Sequence, residues 1–385
     1  MHILLIAPQP FYQERGTPIA VKLLLQALSV RGDTVDVLTL AEGTDVTFTG
    51  VTLHRIPRLP GLAGVRPGFS LKKLVCDVLL GFKAIGLLRR NRYDVIHAVE
   101  ESAFMARWFK RWFHIPYVFD MDSCMSQQIV EKNPRLRWLL GLVTRLERSA
   151  VREAAVAVPV CDDLAAIAQG HGAKRIVVLR DISLLSAYPE VPVEDLRATL
   201  GIQGFCFMYI GNLERYQGID LFLESLALLI RSGAQAHGLI VGGTAADIAA
   251  YQRKATDMGL GTNAHFVGPR PIGAMKALFA QADALVSPRI QGNNTPMKVY
   301  SYLDSGKPVV ATRLPTHTQV LTDDVAVLAE PVPEAFAEGL RAVMNRRAWA
   351  AQLAQKAKQR VLERHSYTAF EKTVRELYAE LGHTA

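Results

Sequence analysis

The stretch SPRIQGNNTPMKVYSYLDSGKPVVAT, residues 287–312, decides the fold of this chain of 385 residues. It begins where a short apolar run ends, and it contains a polar loop, a helical segment and a second apolar run at Pro308–Ala311. The pattern predicts a helix over Met297–Ser305 between two buried strands, and Gly306 provides the stop signal for that helix. Strand, helix and strand in succession form the repeating unit of a parallel sheet, so the sequence predicts an α/β fold.

The loop in this stretch is a predicted binding site for an anion. Thr295 has the chemistry of a helix N-cap, and Pro296 suits the first helical position. A loop that opens a helix at the carboxyl end of a parallel strand presents free backbone N–H groups and the positive end of the helix dipole. Lys298 opposes that dipole unless a negative ligand is bound, so we expect it to contact a phosphate. The loop differs from a P-loop, because it lacks the pattern GxxxxGK followed by Ser or Thr.

Apolar strands alternate with amphipathic helices in two series along the chain, and the segment Asp181–Gly204 between them has no sustained periodicity. We therefore predict an α/β protein with two Rossmann-like, doubly wound domains that face each other across a cleft. The predicted domains span residues 1–183 and 184–365. Residues 366–385 are predicted to form a C-terminal helix that packs back on the first domain.

Composition excludes several other classes of protein. Half of the residues are hydrophobic and 21% are charged, which is typical of a globular protein. The four cysteines lack paired spacing, which favours a reducing compartment and argues against a zinc site. The N-terminus, MHILLIAPQP, has the pattern of a strand rather than of a signal peptide, and no segment is apolar enough to span a bilayer. We therefore expect a cytoplasmic protein.

The positive charge of the chain is concentrated in one region. The net charge is +8, and the segment Arg55–His114 contains twelve Lys and Arg residues against four Asp and Glu residues. The segment includes a helix pattern whose apolar face is formed by Leu71, Leu74, Val75, Val78, Phe82 and Ile85. A basic and apolar surface fits the cytoplasmic face of an anionic membrane, and we predict peripheral attachment there. The alternative is a core helix of the first domain whose lysines are solvated.

Aromatic and basic residues are interleaved over residues 107–113. A platform for nucleic acid would have a similar composition, but no RNA-binding motif accompanies it, so no nucleic-acid partner is predicted. Trp108 and Trp112, with basic neighbours, also suit a bilayer surface. A position in the core is the alternative for these aromatic side chains.

Several motifs in a fixed order carry a resemblance to a known family. They are RGTPIAVKLLLQAL, DVIHAVEES, YIGNLERYQGIDLFLESL, LIVGG, HFVGPRP, ADALVSP and the stretch at 287–312, and they extend from the N-terminus to about Leu340. The ordered set resembles the nucleotide-sugar glycosyltransferases of the GT-B fold, specifically glycosyltransferase family 4. The motifs GNLERYQG and SPR…NTPMK are similar to those of a variant subgroup of that family.

The resemblance implies an enzyme that moves a sugar, expected to be a hexose, from a nucleotide-diphosphate sugar to a hydroxyl of a glycan or lipid-linked acceptor. It also implies retention of configuration, a donor held by the second domain, an acceptor held by the first, and no metal or other cofactor. The alternative is a catalytically silent homologue that binds a nucleotide sugar or acts as a scaffold. A nicotinamide dehydrogenase is disfavoured, because the loop at Gly16 lacks GxGxxG.

This sequence departs from the family pattern at several positions. The family usually has two glutamates where Asn293 and Ser301 stand, and two cationic residues where Asn212 and Gln217 stand. A histidine commonly ends the fifth strand of the first domain, where Asp122 stands. These departures motivate the silent alternative.

The resemblance and the residue types together give a set of candidate site residues. Lys298 and Arg289 are predicted to stabilise the leaving diphosphate in place of the missing family cations, and Asp122 is predicted to face the acceptor as a third catalytic residue. The predicted donor-binding residues are Arg15, Gly16, Asn212, Gln217, Gly243, Arg270, Asn293, Asn294, Thr295 and Ser301. The predicted acceptor-binding residues are His97, Glu100 and Glu101. A hydrogen-bonded histidine and carboxylates that complement a helix dipole are the structural alternative for this last set.

The sequence Asp120-Met121-Asp122 imitates the DxD pattern of metal-dependent glycosyltransferases. The signal is weak, so no metal site is predicted, and Asp120 is assigned a structural role.

Overall fold

The computed structural model of the protein describes residues 1–14, 16–61, 64, 70–126, 140–292 and 295–384. The chain divides into two compact units, Met1–Arg180 with Phe370–Ala385 and Asp181–Ala369. The first division falls between Arg180 and Asp181. The C-terminal residues from Phe370 onwards group with the first unit.

The described part of the first unit contains a parallel six-stranded sheet with the strand order β3-β2-β1-β4-β5-β6. The strands are β1 (His2–Ala7), β2 (Thr34–Thr39), β3 (Val51–Arg55), β4 (Val95–Val99), β5 (Tyr117–Met121) and β6 (Val156–Pro159). The helices are α1 (Gly16–Arg31), α2 (Leu71–Arg90), α3 (Ser102–Phe113), α4 (Leu140–Glu153) and α5 (Asp162–Gly170). Strands β1 and β4 are apolar along almost their whole length because helices bury both faces of a parallel sheet.

Helices α2, α3 and α4 cover the same face of this sheet. Leu4 and Ile6 of β1 pack in one core cluster with Leu80 of α2, Phe109 of α3 and Val151 of α4. Helix α3 contacts both α2 and α4. The three helices therefore form one layer whose outer side faces away from the sheet.

The described part of the second unit contains another parallel six-stranded sheet, with the strand order β12-β11-β10-β7-β8-β9. The strands are β7 (Phe205–Ile210), β8 (Ala236–Val241), β9 (Ala264–Phe266), β10 (Ala284–Ser287), β11 (Val309–Thr312) and β12 (Val327–Ala329). The helices are α6 (Leu196–Thr199), α7 (Ile219–Arg231), α8 (Ala245–Asp257), α9 (Met275–Ala280), α10 (Met297–Asp304), α11 (Pro315–Thr318), α12 (Pro333–Asn345) and α13 (Arg347–Arg364). The last helix of the chain is α14 (Tyr367–Thr384). Two such sheets with flanking helices confirm the predicted class of two Rossmann-like α/β domains.

The stretch at 287–312 folds as β10, loop, α10 and β11, with one correction at the start of the helix. The N-cap residue of α10 is Pro296, not Thr295, and no side chain caps the helix. Pro296 has a ψ angle of 130°, which is extended rather than helical, so the helix begins only at Met297. The Thr295 hydroxyl is consequently one residue too far from the first helical amides to cap them.

A close contact between two loops of the second unit requires glycine at position 218. Gly218 lies between the short 3₁₀ turn Arg215–Gln217 and α7, and its φ angle is +72°. A Cβ atom at this position would lie 1.9 Å from the carbonyl oxygen of Pro288. The glycine therefore permits the loop that follows β7 to rest against the loop that follows β10.

We expect Gly218→Ala to lower the free energy of unfolding much more than Gly201→Ala. Gly201 has a similar φ angle of +63° but nothing within 4 Å of its Cβ position, so its replacement introduces only the left-handed strain, about 1 kcal/mol. Gly218→Ala adds a steric overlap and should cost about 3 kcal/mol or more. Urea denaturation of the two variants measures the difference. Equal losses in the free energy of unfolding would show that the two loops can separate slightly at no cost.

Candidate functional site

Three segments of the second unit meet around the ammonium group of Lys298. Lys298 lies in the first turn of α10, and its Nζ donates a hydrogen bond of 3.0 Å to Oε1 of Gln217. The same Nζ lies 3.9 Å from the ring centre of Tyr209 on β7. A Cβ atom at position 211 would lie 3.0 Å from Nζ, so glycine there leaves room for the lysine. The ammonium therefore sits where β7, the 3₁₀ turn and α10 converge, at the carboxyl edge of the sheet.

Arg289 places a second positive charge beside Lys298. Its Nε donates a hydrogen bond of 2.6 Å to the carbonyl oxygen of Gln291, and its guanidinium lies 5.2 Å from the ring centre of Tyr216. Burial, and then the charge of Arg289, hold the pKa of Lys298 well below its usual range. No described carboxylate contributes to the pKa of either cation. The pair is therefore a positive centre to which the described protein groups offer no counter-charge.

The hydroxyl of Thr295 marks a third component of this centre. Thr295 is buried, and its Oγ1 has no hydrogen-bond partner among the residues that the structure describes. A buried hydroxyl without a partner costs about 1–3 kcal/mol. Thr295 precedes the open N-terminus of α10, whose free amides attract an anion. An oxygen-rich, negatively charged ligand would satisfy the hydroxyl, the amides and the two cations together.

A buried polar network, which sequence reasoning missed, lies behind the two cations. His317 of α11 is fully buried, and its Nε2 is 2.8 Å from Oγ of Ser287 at the end of β10. Its Nδ1 is 2.9 Å from the carbonyl oxygen of Thr312 at the end of β11. The Thr312 hydroxyl donates to the carbonyl oxygen of Arg289. The sequence signal that could have predicted this network was a polar residue at the end of each of two neighbouring strands, because the carboxyl ends of parallel strands share one edge of the sheet.

The imidazole of His317 is neutral in the folded protein. Burial lowers its pKa to about 4, and the charges of Lys298 and Arg289 act in the same direction, against the opposing effect of the Thr312 hydrogen bond. The unfolded chain binds a proton at this residue near pH 6.5, whereas the folded protein does so only near pH 4. The contribution of His317 to stability is therefore complete above pH 6.5 and is lost as the pH falls towards 4.

We expect His317→Gln to flatten the dependence of stability on acid pH. Over the window from pH 6.5 to 4, the wild-type histidine should account for a loss of about 3 kcal/mol in the free energy of unfolding, which glutamine cannot contribute. Denaturant titrations of both proteins at pH 7 and pH 4.5 measure this, since the remaining acid-titrating groups are common to both. Parallel losses in the two proteins would contradict the low pKa of His317.

Two of the predicted donor-binding residues lie at this centre besides Thr295. Gln217 contacts Lys298 directly, as described above. Asn212 is exposed at the end of β7, and its Oδ1 accepts from the N–H of Glu214 at 3.4 Å, which shapes the turn. The Tyr209 hydroxyl donates to the main-chain oxygen of Asn212 at 2.7 Å. The hydroxyls of Tyr209 and Tyr216 both contact Asn212, and the donor contacts of Asn212 and Gln217 stay predictions.

Other predicted donor-binding residues make contacts within their own unit. Ser301 is fully buried, and its hydroxyl accepts a hydrogen bond of 3.0 Å from the N–H of Leu184, so its described contact belongs to the core. The guanidinium of Arg270 forms an ion pair of 2.6 Å with Glu194. Gly243 follows β8 and packs against the side chain of Leu213. Donor contacts of these residues stay predictions.

The remaining donor-side predictions divide between the first unit and the undescribed residues. Gly16 is the first residue of α1 and follows the loop after β1. Arg15, Asn293 and Asn294 lie outside the residues that the structure describes, and their predicted roles stay predictions.

His97, a predicted acceptor contact, is enclosed in the core of the first unit. It has no exposed surface, and its Nε2 is 3.1 Å from the carboxylate of Asp120. Its Nδ1 is 2.7 Å from the hydroxyl of Tyr378 on α14. Both ring nitrogens are therefore used within the protein, which matches the structural alternative for His97 and the structural role assigned to Asp120.

Glu100 and Glu101 stand together at the carboxyl end of β4 but differ in their partners. Glu101 forms a close ion pair with the buried Lys73, which also pairs with Asp77 at 2.6 Å. Glu100 accepts a hydrogen bond of 3.2 Å from the Ser123 hydroxyl, and its backbone has a φ angle of +50°. Burial, and then the charge of Glu101, raise the pKa of the Glu100 carboxyl. Of the two, Glu100 is the carboxyl without a cation at hydrogen-bond distance among its described contacts.

Asp122 follows directly after the last residue of β5 and is partly buried, so it stands at the same carboxyl edge as Glu100. Within the described ranges, no group of three or more His, Cys, Asp and Glu side chains is arranged to hold a metal ion.

The outer side of the α2–α3–α4 layer carries an apolar surface, here called the three-helix surface. Its exposed members are Leu74, Val75, Val78, Phe82, Trp108, Trp112, Leu142 and Leu146. Phe82 is 70% exposed and Trp112 is 61% exposed. The opposite side of α2, including Cys76, Leu80 and Ala84, lies in the core. None of the described helices is both long enough and apolar enough to cross a membrane.

Several solved structures have the same architecture as this chain. The chain is 20% identical to sucrose-phosphate synthase from Thermosynechococcus elongatus, with a TM-score of 0.77 and coverage of 100% of both chains. It is 16% identical to HepE from Anabaena, solved in complex with UDP, with a TM-score of 0.76 over 99% of this chain and 100% of that one. WaaG, a glycosyltransferase involved in lipopolysaccharide biosynthesis, is 17% identical, with a TM-score of 0.71 over 97% and 98% of the two chains. The fold is therefore the GT-B fold.

Family models identify the chemistry that goes with this fold. Residues 15–180 match the model described as "Glycosyl transferase 4-like domain", and residues 204–346 match the model described as "Glycosyl transferases group 1". No curated protein matches the chain. The two family matches together cover most of the chain, which belongs to the glycosyltransferases of the GT-B fold and is an enzyme of the transferase class.

Proposed function

We propose that the protein is a retaining, metal-independent hexosyltransferase that uses a nucleotide-diphosphate sugar and transfers the hexose to a hydroxyl of a glycan or lipid-linked acceptor. The observation that carries the proposal is the pair of cations, Lys298 and Arg289, held without a described counter-charge beside the open N-terminus of α10. A diphosphate matches this centre in charge and in hydrogen-bonding capacity. The complexes of HepE with UDP and UDP-glucose support a donor of the same kind.

The cations act on the bond that breaks. As the anomeric carbon separates from the β-phosphate oxygen, negative charge grows on the leaving diphosphate, and Lys298 and Arg289 stabilise it. The acceptor oxygen forms the new bond to the anomeric carbon, and its proton passes to the leaving phosphate. The diphosphate also raises the pKa of Lys298, because an opposite charge favours the ammonium form. Retention is the outcome that the family resemblance implies.

The position of Lys298 explains the absence of a family cation at Gln217. The ammonium lies 3.0 Å from the amide oxygen of Gln217, so it delivers positive charge to the place that a lysine side chain at 217 would reach. We infer that Lys298 supplies, from another segment, the positive charge that position 217 lacks. This compensation favours an active enzyme over the silent alternative.

We expect Lys298→Ala to lower kcat about 100-fold, as loss of one preorganised charge in the transition state does elsewhere. Adding Gln217→Lys to that variant should restore part of the rate by returning the charge. Lys276→Ala, which removes an exposed lysine paired with Glu190, is the matched control and should leave the rate unchanged. A thermal-shift panel of nucleoside diphosphates identifies the base, and sugar-nucleotide hydrolysis and transfer assays then follow turnover. A protein that binds a nucleoside diphosphate but neither hydrolyses nor transfers any donor would establish the silent alternative.

On the acceptor side, the proposal assigns Glu100 and Asp122 to the incoming hydroxyl. Both stand at the carboxyl edge of the first sheet, where ligands of open α/β sheets bind. The Glu100 carboxyl accepts a hydrogen bond from the Ser123 hydroxyl, and its remaining lone pairs can accept another from a sugar hydroxyl. His97 and Glu101 support this edge through Asp120 and Lys73 instead of meeting the acceptor.

We further propose that the three-helix surface attaches the enzyme to the cytoplasmic face of an anionic membrane, where a lipid-linked acceptor would reside. Two exposed tryptophans, 6.2 Å apart between ring centres, suit the interface between lipid and water. Exposed basic side chains lie on the same helices: Lys72, Lys83, Arg111, Arg145 and Arg148. Each basic residue near such a surface contributes on the order of 1 kcal/mol, so several suffice for peripheral binding.

We expect the full-length protein to float with phosphatidylglycerol vesicles at low salt and to remain free of phosphatidylcholine vesicles. Replacing Trp108 and Trp112 together with serine should reduce flotation by about tenfold, because the aromatic contribution to binding is lost. Leu362→Ser is the matched control, since Leu362 is equally exposed but lies in the second unit. Equal flotation with both kinds of vesicle would favour a soluble acceptor. An equal loss of flotation in Leu362→Ser and in the double tryptophan variant would favour it as well.

A further inference from the structure

The buried network of Ser287, Thr312 and His317 acts on the main chain at Arg289, and we propose that His317 is a positioning residue that holds the Lys298–Arg289 pair in the geometry that binds a diphosphate. The inference rests on the proposed function, because it assigns a role to residues that support the proposed phosphate site. His317 itself is fully buried and does not reach a ligand.

The hydrogens of the network have one consistent arrangement. Nδ1 of His317 lies 2.9 Å from the carbonyl oxygen and 3.0 Å from the hydroxyl oxygen of Thr312. The carbonyl oxygen can only accept, so Nδ1 of the neutral ring carries the hydrogen. Nε2 is then an acceptor, and the Ser287 hydroxyl donates to it at 2.8 Å. The Thr312 hydroxyl donates to the main-chain oxygen of Arg289 at 2.5 Å. Each hydrogen has its acceptor, and the chain of donors ends on the peptide that carries the arginine.

Contacts on both sides of Arg289 hold the loop that follows β10. On one side, the carbonyl oxygen of Pro288 rests against Gly218, and on the other the N–H of Ile290 donates to the main-chain oxygen of Tyr216 at 2.9 Å. The peptide of Arg289 lies between these two contacts, and the Thr312 hydroxyl fixes its orientation. Rotation of that peptide would swing the guanidinium away from Lys298 and change the spacing of the two charges.

The register of β10 and β11 brings the residues of the network together. Ser287 of β10 is aligned with Ala311 of β11, so Ser287 and Thr312 end neighbouring strands at nearly the same level. His317 bridges these two ends from α11. A displacement of about 1 Å in a group that contacts ligand can cost about 100-fold, whereas a buried hydrogen bond alone affects only stability. The two roles are therefore separable by experiment.

The experiment is isothermal titration of inorganic pyrophosphate into full-length variants, at a temperature where circular dichroism shows each of them folded. The series contains wild type, Lys298→Ala, Ser287→Ala, His317→Asn and His317→Gln. Asparagine keeps a donor near Nδ1 but loses the acceptor of the Ser287 hydroxyl, whereas glutamine keeps an acceptor near Nε2. Ser225→Ala is the control for stability, since Ser225 is a fully buried hydroxyl of the same unit that donates within α7.

We expect wild type and Ser225→Ala to bind pyrophosphate equally, and Lys298→Ala to lose measurable binding. Ser287→Ala and His317→Asn should bind about tenfold more weakly, and His317→Gln should recover most of the affinity. Ser287→Ala keeps the test valid if His317→Asn does not fold. If wild type binds and Lys298→Ala does not, but Ser287→Ala and the folded His317 variants bind like wild type, the positioning role is overturned while the proposed function stands. If wild type itself fails to bind pyrophosphate, the phosphate site and the proposed function are rejected together.

Discussion

The burial of Lys298 beside the positive charge of Arg289, which lowers the pKa of the lysine, is the constraint on which the rest of the second unit's site depends. Their neighbours do not neutralise them: Lys298 meets an amide oxygen and the face of Tyr209, and Arg289 meets a carbonyl oxygen and the face of Tyr216. Neutral oxygens and aromatic faces hold a cation without cancelling its charge. The site thus surrounds two basic side chains with neutral groups, and an anion bound there would supply the missing counter-charge.

Much of the fold followed from sequence patterns that are local. Continuous apolar strands, a glycine after α10 and turn residues between elements are read over a few neighbours, and they predicted the two series of strands. The contact between Lys298 and Gln217 joins residues far apart in the chain, so only the assembled sheet shows it. The Thr295 cap was wrong by one residue because the ψ angle of Pro296 depends on the loop and not on residue type.

The sequence alone also could not decide the role of residues that suit either a structural or a functional position. His97 lies in the middle of β4 and Glu100 directly follows the strand, so burial commits His97 to the core whereas Glu100 has a single described side-chain donor. Helix α2 was weighed as either a core helix or a membrane-facing one, and it presents a core face and an exposed apolar face on opposite sides. Lys73 belongs to the basic segment Arg55–His114, but its side chain is buried and pairs with Glu101 and Asp77, so it does not contribute to the exposed basic surface.

Ser301 occupies the position at which the family resemblance implies a glutamate, and its use in the core limits which side chains that position can hold. Its hydroxyl accepts from the N–H of Leu184, while one turn further along α10 the carboxylate of Asp304 accepts from Ser183. A glutamate at 301 would bring a longer, charged side chain into this dry space beside another carboxylate, at a large desolvation cost. Ser301→Glu by itself would therefore be destabilising, and it would require a compensating change in the Ser183–Leu184 segment that packs against position 301.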